Sequence, residues 1–132
     1  NTFLRDHDAQ CILSLIDCDI YKVMEACVIG SFADDYDYIP LKEAYTTAGV
    51  LTSGKYKNSV ITGLDDLQDN TFVSHLNTKR NEYLEYETQG EGALVVTTIG
   101  KTLSRAKSSL YEEMDFIDFE GKKYRKDICS MN

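Results

Sequence analysis

The chain has 132 residues, of which 42 % are hydrophobic and 27 % charged, and its formal net charge is −8 at pH 7. This length and composition fit one globular domain with its own core, and the acidic balance argues against a nucleic-acid partner. No apolar run approaches the roughly 20 residues of a membrane span and no signal peptide is visible, so we expect a cytoplasmic protein with no membrane partner.

The segment from Asp6 to Gly30 is predicted to form two helices, because its apolar residues recur at helical spacing. We place a corner at residues 17–19, where Asp17 or Asp19 can cap the second helix, and Gly30 fits the position just past its end. The three aspartates in segment 31–40 suggest either a metal site or a solvated acidic loop. We predict the loop, because the glycine and terminal glutamate of an EF-hand are absent.

The cysteines and histidines indicate neither a zinc site nor a hydrolase. His7 and His75 are the only histidines, and no Gly-x-Ser-x-Gly motif is present. No Cys-x-x-Cys pair occurs either. We therefore expect Cys11, Cys18 and Cys27 to be reduced thiols in the core, whereas Cys129 lies near the end of the chain, where exposure is equally compatible with the pattern.

The middle of the chain is predicted to form short strands separated by turns. Residues 43–52 alternate weakly and turn at Ser53-Gly54, residues 60–62 end at Gly63, and residues 71–75 form another apolar run. This spacing favours a small, strongly bent sheet over a parallel α/β sheet.

The last part of the chain is predicted to contain strand, glycine turn, strand, helix and strand. Residues 83–88 alternate with period two, Gly90 and Gly92 allow a tight reversal through positive φ, and residues 93–99 form a β-branched run typical of a strand covered on both faces.

Thr102 is predicted to cap a helix that runs to about Met114. The helix carries basic residues early and acidic residues late, against the dipole preference, so packing must hold it. Residues 119–128 are predicted to form a final strand. The fold class is α+β: an N-terminal helical pair, then a small, bent, mainly antiparallel sheet with one packed C-terminal helix.

The ordered motifs in this region resemble the C-terminal region of the phosphoribosylamine–glycine ligases, which belong to the ATP-grasp superfamily. The order reads His-x-x-Thr-Lys, a glycine-rich turn, Leu-x-Val-Thr-x-x-Gly-x-Thr-Leu-x-x-Ala and Phe-x-Gly-x-x-Tyr-Arg-Lys-Asp-Ile. The matching positions are His75, Thr78, Lys79, Gly90, Leu94, Val96, Thr97, Gly100, Thr102, Leu103, Ala106, Phe119, Gly121, Tyr124, Arg125, Lys126, Asp127 and Ile128.

The resemblance implies a domain division and a reaction. Residues 1–41 would be the end of an ATP-grasp domain and a helical linker, and residues 42–132 a C-terminal mixed α/β domain. The parent ligase would join glycine to 5-phosphoribosylamine in purine biosynthesis, through an acyl phosphate made with ATP and magnesium or manganese. The rest of the ligase would lie upstream or in a separate chain, and this chain alone is expected to be inactive. The alternative is a degenerate, non-catalytic scaffold or binding subunit.

The start of the chain resembles the family's magnesium-binding motif Glu-x-Asn-x-Arg-Phe-Gly-Asp. Asn1 falls on the asparagine that would hold the metal, and Asp6 falls on the aspartate. The glutamate would lie before residue 1, the arginine position holds Phe3, and the glycine position holds Arg5. The chain does not begin with methionine, which favours a fragment of a longer protein.

The substrate-binding residues implied by the resemblance are His75, Thr78, Gly90, Arg125 and Lys126. The family's Gly-Gly-Arg turn falls on Gly90-Glu91-Gly92, so its arginine is missing, and Glu91 would repel a phosphate at close range.

Two of these assignments have structural alternatives. His75 is either a structural residue or a donor to a bound group. Arg125 and Lys126 either bind an anion or form a salt bridge to Asp127 or Glu120.

Overall fold

The computed structural model describes residues 6–130, which form two small antiparallel sheets with helices around the larger one. A three-stranded sheet has the order β1-β5-β2, and β3 pairs with β4 in a second sheet. This arrangement confirms the predicted α+β class. The bounds in chain order are α1 Asp6–Leu15, α2 Ile20–Ile29, α3 Phe32–Asp35, β1 Tyr45–Thr52, β2 Thr71–His75, β3 Thr78–Arg80, β4 Tyr86–Thr88, β5 Gly92–Gly100 and α4 Leu103–Phe116.

The predicted helical pair and its corner are confirmed. The Asp19 side chain accepts a hydrogen bond from the Tyr21 backbone N–H (2.9 Å), which starts α2. Gly30 ends it with a left-handed φ of 82°. The acidic segment that follows is exposed at its aspartates, but it contains the short helix α3, which the sequence reading missed.

Strand β5 lies at the centre of the larger sheet and is covered on both faces, as predicted from its β-branched run. Its residues Ala93 to Thr98 are all buried. Helix α4 covers one face, where Gly49 of β1 meets Met114 at close range. Helix α1 packs against β1 and β5 on the other face, where the Thr46 hydroxyl donates to the Cys11 carbonyl oxygen (3.4 Å).

Helix α4 begins where the sequence predicts, because the Thr102 hydroxyl accepts a hydrogen bond from the Arg105 backbone N–H. Its buried side includes Ala106, Leu110 and Met114, so packing does hold it. The sequence reading missed a second support at its other end. Lys122 Nζ donates to the backbone carbonyls of Met114 (3.2 Å), Asp115 (3.0 Å) and Ile117 (2.5 Å), which places a positive charge at the negative end of the helix dipole.

Several predicted strands are shorter than the sequence pattern indicates. Only residues 86–88 of the 83–88 segment are paired, because Leu84 lies in a turn with φ of 64°. Residues 60–62 form isolated bridges, not a strand. Residues 119–128 meet β1 only through a bridge between Thr52 and Lys123, because Tyr124 and Ile128 turn to pack on the core.

The glycine turn and the core thiols also differ from prediction. Gly90 and Gly92 do not have positive φ, and the segment between them connects two different sheets, so it is not a hairpin. Cys27 is exposed and Cys11 and Cys18 are half-buried, so the placement of these three cysteines in the core was wrong. Cys129 is exposed near the end of the chain, and all four cysteines are free thiols. Within residues 6–130, no helix has the length and apolar character needed to cross a membrane.

Candidate functional site

The three strands of the larger sheet bring several of the predicted substrate-binding residues to one end of the sheet. Antiparallel pairing sets the end of β1 beside the start of β5, with Thr52 opposite Gly92. The antiparallel pairing of β2 with β5 places His75, the last residue of β2, opposite Leu94. The loop that enters β5 therefore lies between the ends of β1 and β2.

Two polar side chains fix the path of that loop. The buried Ser53 hydroxyl donates to the Gly90 carbonyl oxygen (2.6 Å), and the Ser53 backbone N–H donates to the carbonyl of Glu91 (2.9 Å). On the other side, Asn77 Nδ2 donates to the Gly92 carbonyl oxygen (2.9 Å). The loop at Gly90 is thus held from both sides, and its backbone position is defined without the positive φ that its glycines allow.

His75 sits in a polar and aromatic cluster beside this loop. Its Nδ1 lies 2.8 Å from the Thr78 hydroxyl oxygen. Its ring packs against the Tyr86 ring with 4.2 Å between the centroids and 31° between the ring planes, and the Arg80 guanidinium lies 4.8 Å from the centre of the same tyrosine ring. Burial lowers the pKa of His75, and the positive charge of Arg80 lowers it further, so the imidazole is uncharged at neutral pH.

The hairpin that carries Arg80 is organised by one asparagine. The Asn81 side-chain oxygen accepts from the backbone N–H groups of Tyr83 (2.9 Å) and Glu85 (3.0 Å), and its Nδ2 donates to the carboxylates of Glu85 (3.0 Å) and Glu87 (3.1 Å). Directly across the hairpin, Lys79 pairs with Glu87 at 3.5 Å. These bonds hold the hairpin in place, and they give the carboxylates of both Glu85 and Glu87 a partner.

Arg125 and Lys126 lie elsewhere, along the edge of β1. Arg125 lines a cleft of about 520 Å³, and Lys126 follows it in the chain. None of His75, Thr78 and Gly90 lines that cleft. Arg125 donates from Nε and Nη2 to Asp127 (2.9 and 2.7 Å), and Glu120 is not its partner. This pair raises the pKa of Arg125 and lowers the pKa of Asp127.

The Lys126 side chain contacts Tyr124 and lies at ion-pair distance from Asp115. Its Nζ donates to the tyrosine hydroxyl (2.5 Å), lies over the ring, and is 3.8 Å from Asp115. The hydrogen bond with Tyr124 raises the pKa of Lys126. Burial raises the pKa of Tyr124, and its hydrogen bond to Asp115 raises it further.

The structure therefore divides the residues that the sequence named. His75, Thr78 and Gly90 gather at one end of the larger sheet, whereas Arg125 and Lys126 do not join them. The predicted magnesium ligand Asn1 lies outside the described residues. Among residues 6–130, no group of three His, Cys, Asp or Glu side chains is placed to hold a metal ion.

The sequence reading missed four side chains that shape this end of the sheet: Ser53, Asn77, Arg80 and Tyr86. For Ser53 a signal was available, since the sequence places a turn at Ser53-Gly54. The sequence pattern indicates Tyr86 only as part of a strand. Nothing in the local pattern around Arg80 distinguishes it from a solvated surface arginine.

Comparison with solved structures places this α+β arrangement in a known class. The fold is shared with part of a crystal structure of phosphoribosylamine–glycine ligase from Thermotoga maritima, with a TM-score of 0.70 and 21 % sequence identity. The match covers 94 % of this chain and 31 % of that one. At 21 % identity, this similarity establishes the fold alone.

The family follows from sequence comparison. Residues 50–131 match the family model described as "Phosphoribosylglycinamide synthetase, C domain", and the chain belongs to that family. Over 98 % of its length it is 32 % identical to the phosphoribosylamine–glycine ligases of Halalkalibacterium halodurans and Neisseria meningitidis serogroup A. It is 28 % identical to the trifunctional purine biosynthetic protein adenosine-3 of Chironomus tentans. The chain spans 30 % and 31 % of the two ligases and 10 % of the trifunctional protein.

Proposed function

We propose that this chain is the C-terminal part of an ATP-dependent ligase that joins glycine to 5-phosphoribosylamine in purine biosynthesis, and that it has no ligase activity alone. One observation carries the proposal: nearly the whole chain matches ligases of that name, and it matches only about a third of their length. The family membership of residues 50–131 supports the same assignment.

The proposed role of the chain is to close one side of the reaction site and hold the sugar-phosphate substrate. The loop at Gly90 is held by Ser53 and Asn77, so it offers a defined backbone surface. Beside it, the uncharged His75 ring bonded to Thr78 can exchange a hydrogen bond with a bound group. Arg125 and Lys126 would add positive charge along the neighbouring edge, reduced by their acidic partners.

ATP and magnesium, or manganese in its place, would act with the remainder of the ligase. ATP would transfer its terminal phosphate to the glycine carboxylate and leave as ADP, the amine would then displace that phosphate, and the metal would offset the phosphate charge. Residues 6–130 offer no cluster of three His, Cys, Asp or Glu side chains that fits a metal, so the metal ligands would lie outside these residues. We place the reaction in the cytoplasm with the rest of purine biosynthesis.

The partner is the remainder of the ligase, either upstream in the same polypeptide or as a separate chain. The exposed apolar face of α2 supports this partner, because Tyr21, Met24 and Val28 recur on one side of the helix and are 57–87 % exposed. Such a face is typical of an interface, and the matched relatives carry most of their length outside the matched region.

The test measures ADP release with glycine, phosphoribosylamine, ATP and magnesium. The purified 132-residue chain should release none, and a mixture with the remainder of the ligase should release ADP only when both other substrates are present. Substrate-dependent ADP release by the isolated chain would refute the claim that it is inactive alone.

A degenerate scaffold is the second candidate, and one observation favours it. Glu91, whose side chain is exposed beside Gly90, puts a negative charge at the turn where the family-like pattern has glycine followed by arginine. A mixture that forms a stable complex and still gives no turnover would support this candidate.

A further inference from the structure

Arg80 differs from its neighbour Lys79 in having no acidic partner. Lys79 pairs with Glu87, and Glu85 is held by Asn81. Within the described part of the chain, no carboxylate lies at ion-pair distance from the Arg80 guanidinium. Arg80 is instead held against the Tyr86 ring, which positions its charge without neutralising it.

The Arg80 side chain lines a groove of about 530 Å³, here called the Arg80 groove. One wall is formed by the hairpin and the end of β2, and the other by the segment that precedes β2. The first wall includes His75, Arg80 and Tyr86, and the second wall includes Asp65, Gln68 and Asp69.

The two walls offer complementary chemistry. On the first wall, the planar guanidinium donates several hydrogen bonds to phosphate oxygens, and the uncharged imidazole can add one more. On the second wall, the carboxylates of Asp65 and Asp69 and the amide of Gln68 accept hydrogen bonds from hydroxyl groups. A ligand with phosphate at one end and hydroxyls at the other satisfies both walls, whereas two phosphates or a bare carboxylate would not.

We propose that the Arg80 groove binds a sugar phosphate monoester, with Arg80 and His75 on the phosphate and the Asp65–Asp69 wall on the sugar hydroxyls. This inference rests on the proposed function, in which the amine substrate carries a ribose 5-phosphate group. It assigns the phosphate contact to Arg80, a residue outside the family-like motifs.

The test titrates the 132-residue chain with ribose 5-phosphate and, separately, with inorganic phosphate, and follows the His75 imidazole resonances by NMR. A His75→Gln variant identifies those resonances. Saturable binding of ribose 5-phosphate that raises the His75 pKa is expected, because an anion then lies beside the ring. Arg80→Gln should weaken this binding about tenfold or more.

The matched control is Lys79→Gln, which removes the same charge from the adjacent residue and should change the affinity by no more than about twofold, since Lys79 is paired with Glu87. Asp69→Asn should weaken ribose 5-phosphate binding without weakening inorganic phosphate binding. Absence of saturable binding, or equal losses in Arg80→Gln and Lys79→Gln, would overturn the proposal. Equal affinities of the native chain for the two ligands would overturn its sugar-phosphate assignment.

The outcome is separable from the proposed function. Turnover by the mixed ligase without ribose 5-phosphate binding in the groove would overturn this inference alone. Binding in the groove without turnover by the mixture would overturn the proposed ligase function and leave the sugar-phosphate site standing.

Discussion

At the scale of single residues, the charge of Arg80 and the burial of the ring act on His75 in the same direction. Both lower its pKa, with burial the larger cause. Arg80→Gln removes one of them, so the pKa of His75 should rise but stay below its ordinary value. An NMR titration of the imidazole resonances measures this directly. Lys79→Gln is the control, and an unchanged His75 pKa in Arg80→Gln would contradict the prediction.

The same pKa shift fixes the sign of a stability effect. Because the folded-state pKa lies below the unfolded value of 6.5, the unfolded chain binds more protons between the two values. His75 therefore reduces stability as pH falls through this window, and the full loss is present below the folded-state pKa. Urea unfolding from pH 7 to pH 5 should show a smaller loss in Arg80→Gln than in the native chain, with other titrating groups cancelling in the comparison.

The sequence could indicate His75 and Thr78 but not Arg80, for a physical reason. His75 and Thr78 belong to one short motif, and their contact needs only the local turn after β2. The role of Arg80 depends on pairing across the hairpin: Arg80 is placed opposite Tyr86, while Lys79 opposite Glu87 is neutralised. The register of the hairpin therefore decides that Arg80, and not Lys79, has no acidic partner.

At the scale of elements, the close approach of β5 and α4 depends on a glycine. A Cβ added at Gly100 would lie 2.5 Å from the backbone nitrogen of Ala106 and 3.0 Å from its Cα, atoms that cannot move without shifting the helix. Gly100→Ala should therefore lower the free energy of unfolding by about 1–3 kcal/mol. Urea denaturation measures the change.

Gly92→Ala, at the other end of β5, is the matched control. Its added Cβ would lie 3.4 Å from Leu76 Cδ1, an ordinary contact. If both variants lose the same stability, the loss comes from placing alanine in β5 and not from the contact with α4.

The C-terminal end of α4 depends on a lysine outside the helix. Lys122 is largely buried and donates to three backbone carbonyls there, so Lys122→Met should leave those carbonyls without their cation and cost about 1–2 kcal/mol in the free energy of unfolding. Lys123→Met is the control, because Lys123 is exposed and pairs with Thr52 through its backbone. A Lys122 variant as stable as the Lys123 variant would contradict this role.

Elements that depend on local periodicity were predictable, and elements that depend on a partner were not. The helical pair, β2, β5 and α4 follow from apolar spacing and caps. Residues 83–85 alternate like a strand, yet Asn81 bonds two of their backbone N–H groups and turns the chain. Residues 119–128 look extended, but their anchors are Lys122 on α4 and side chains packed on the core.

At the scale of the whole molecule, the larger sheet has its own core, while α2 has an uncovered apolar side. Helix α4 and residues that follow it bury one face of the sheet, and α1 covers part of the other. Helix α2 buries Val23 and Ala26 and leaves Tyr21, Met24 and Val28 exposed. A partner with an apolar contact surface would fit this side.

Val28→Asp tests whether this face contacts the proposed partner, the remainder of the ligase. Val28 is 87 % exposed, and a carboxylate in the last turn of α2 meets the negative end of the helix dipole, so the substitution should lower the free energy of unfolding by no more than about 1 kcal/mol. It should weaken association with the separately expressed remainder of the ligase at least about tenfold, because a carboxylate would be buried in an apolar contact. Titration calorimetry measures both affinities.

Ser104→Asp places the same carboxylate on the exposed surface of α4 and should leave the affinity unchanged. Equal affinities of the native chain and Val28→Asp would place the contact on another face of the domain.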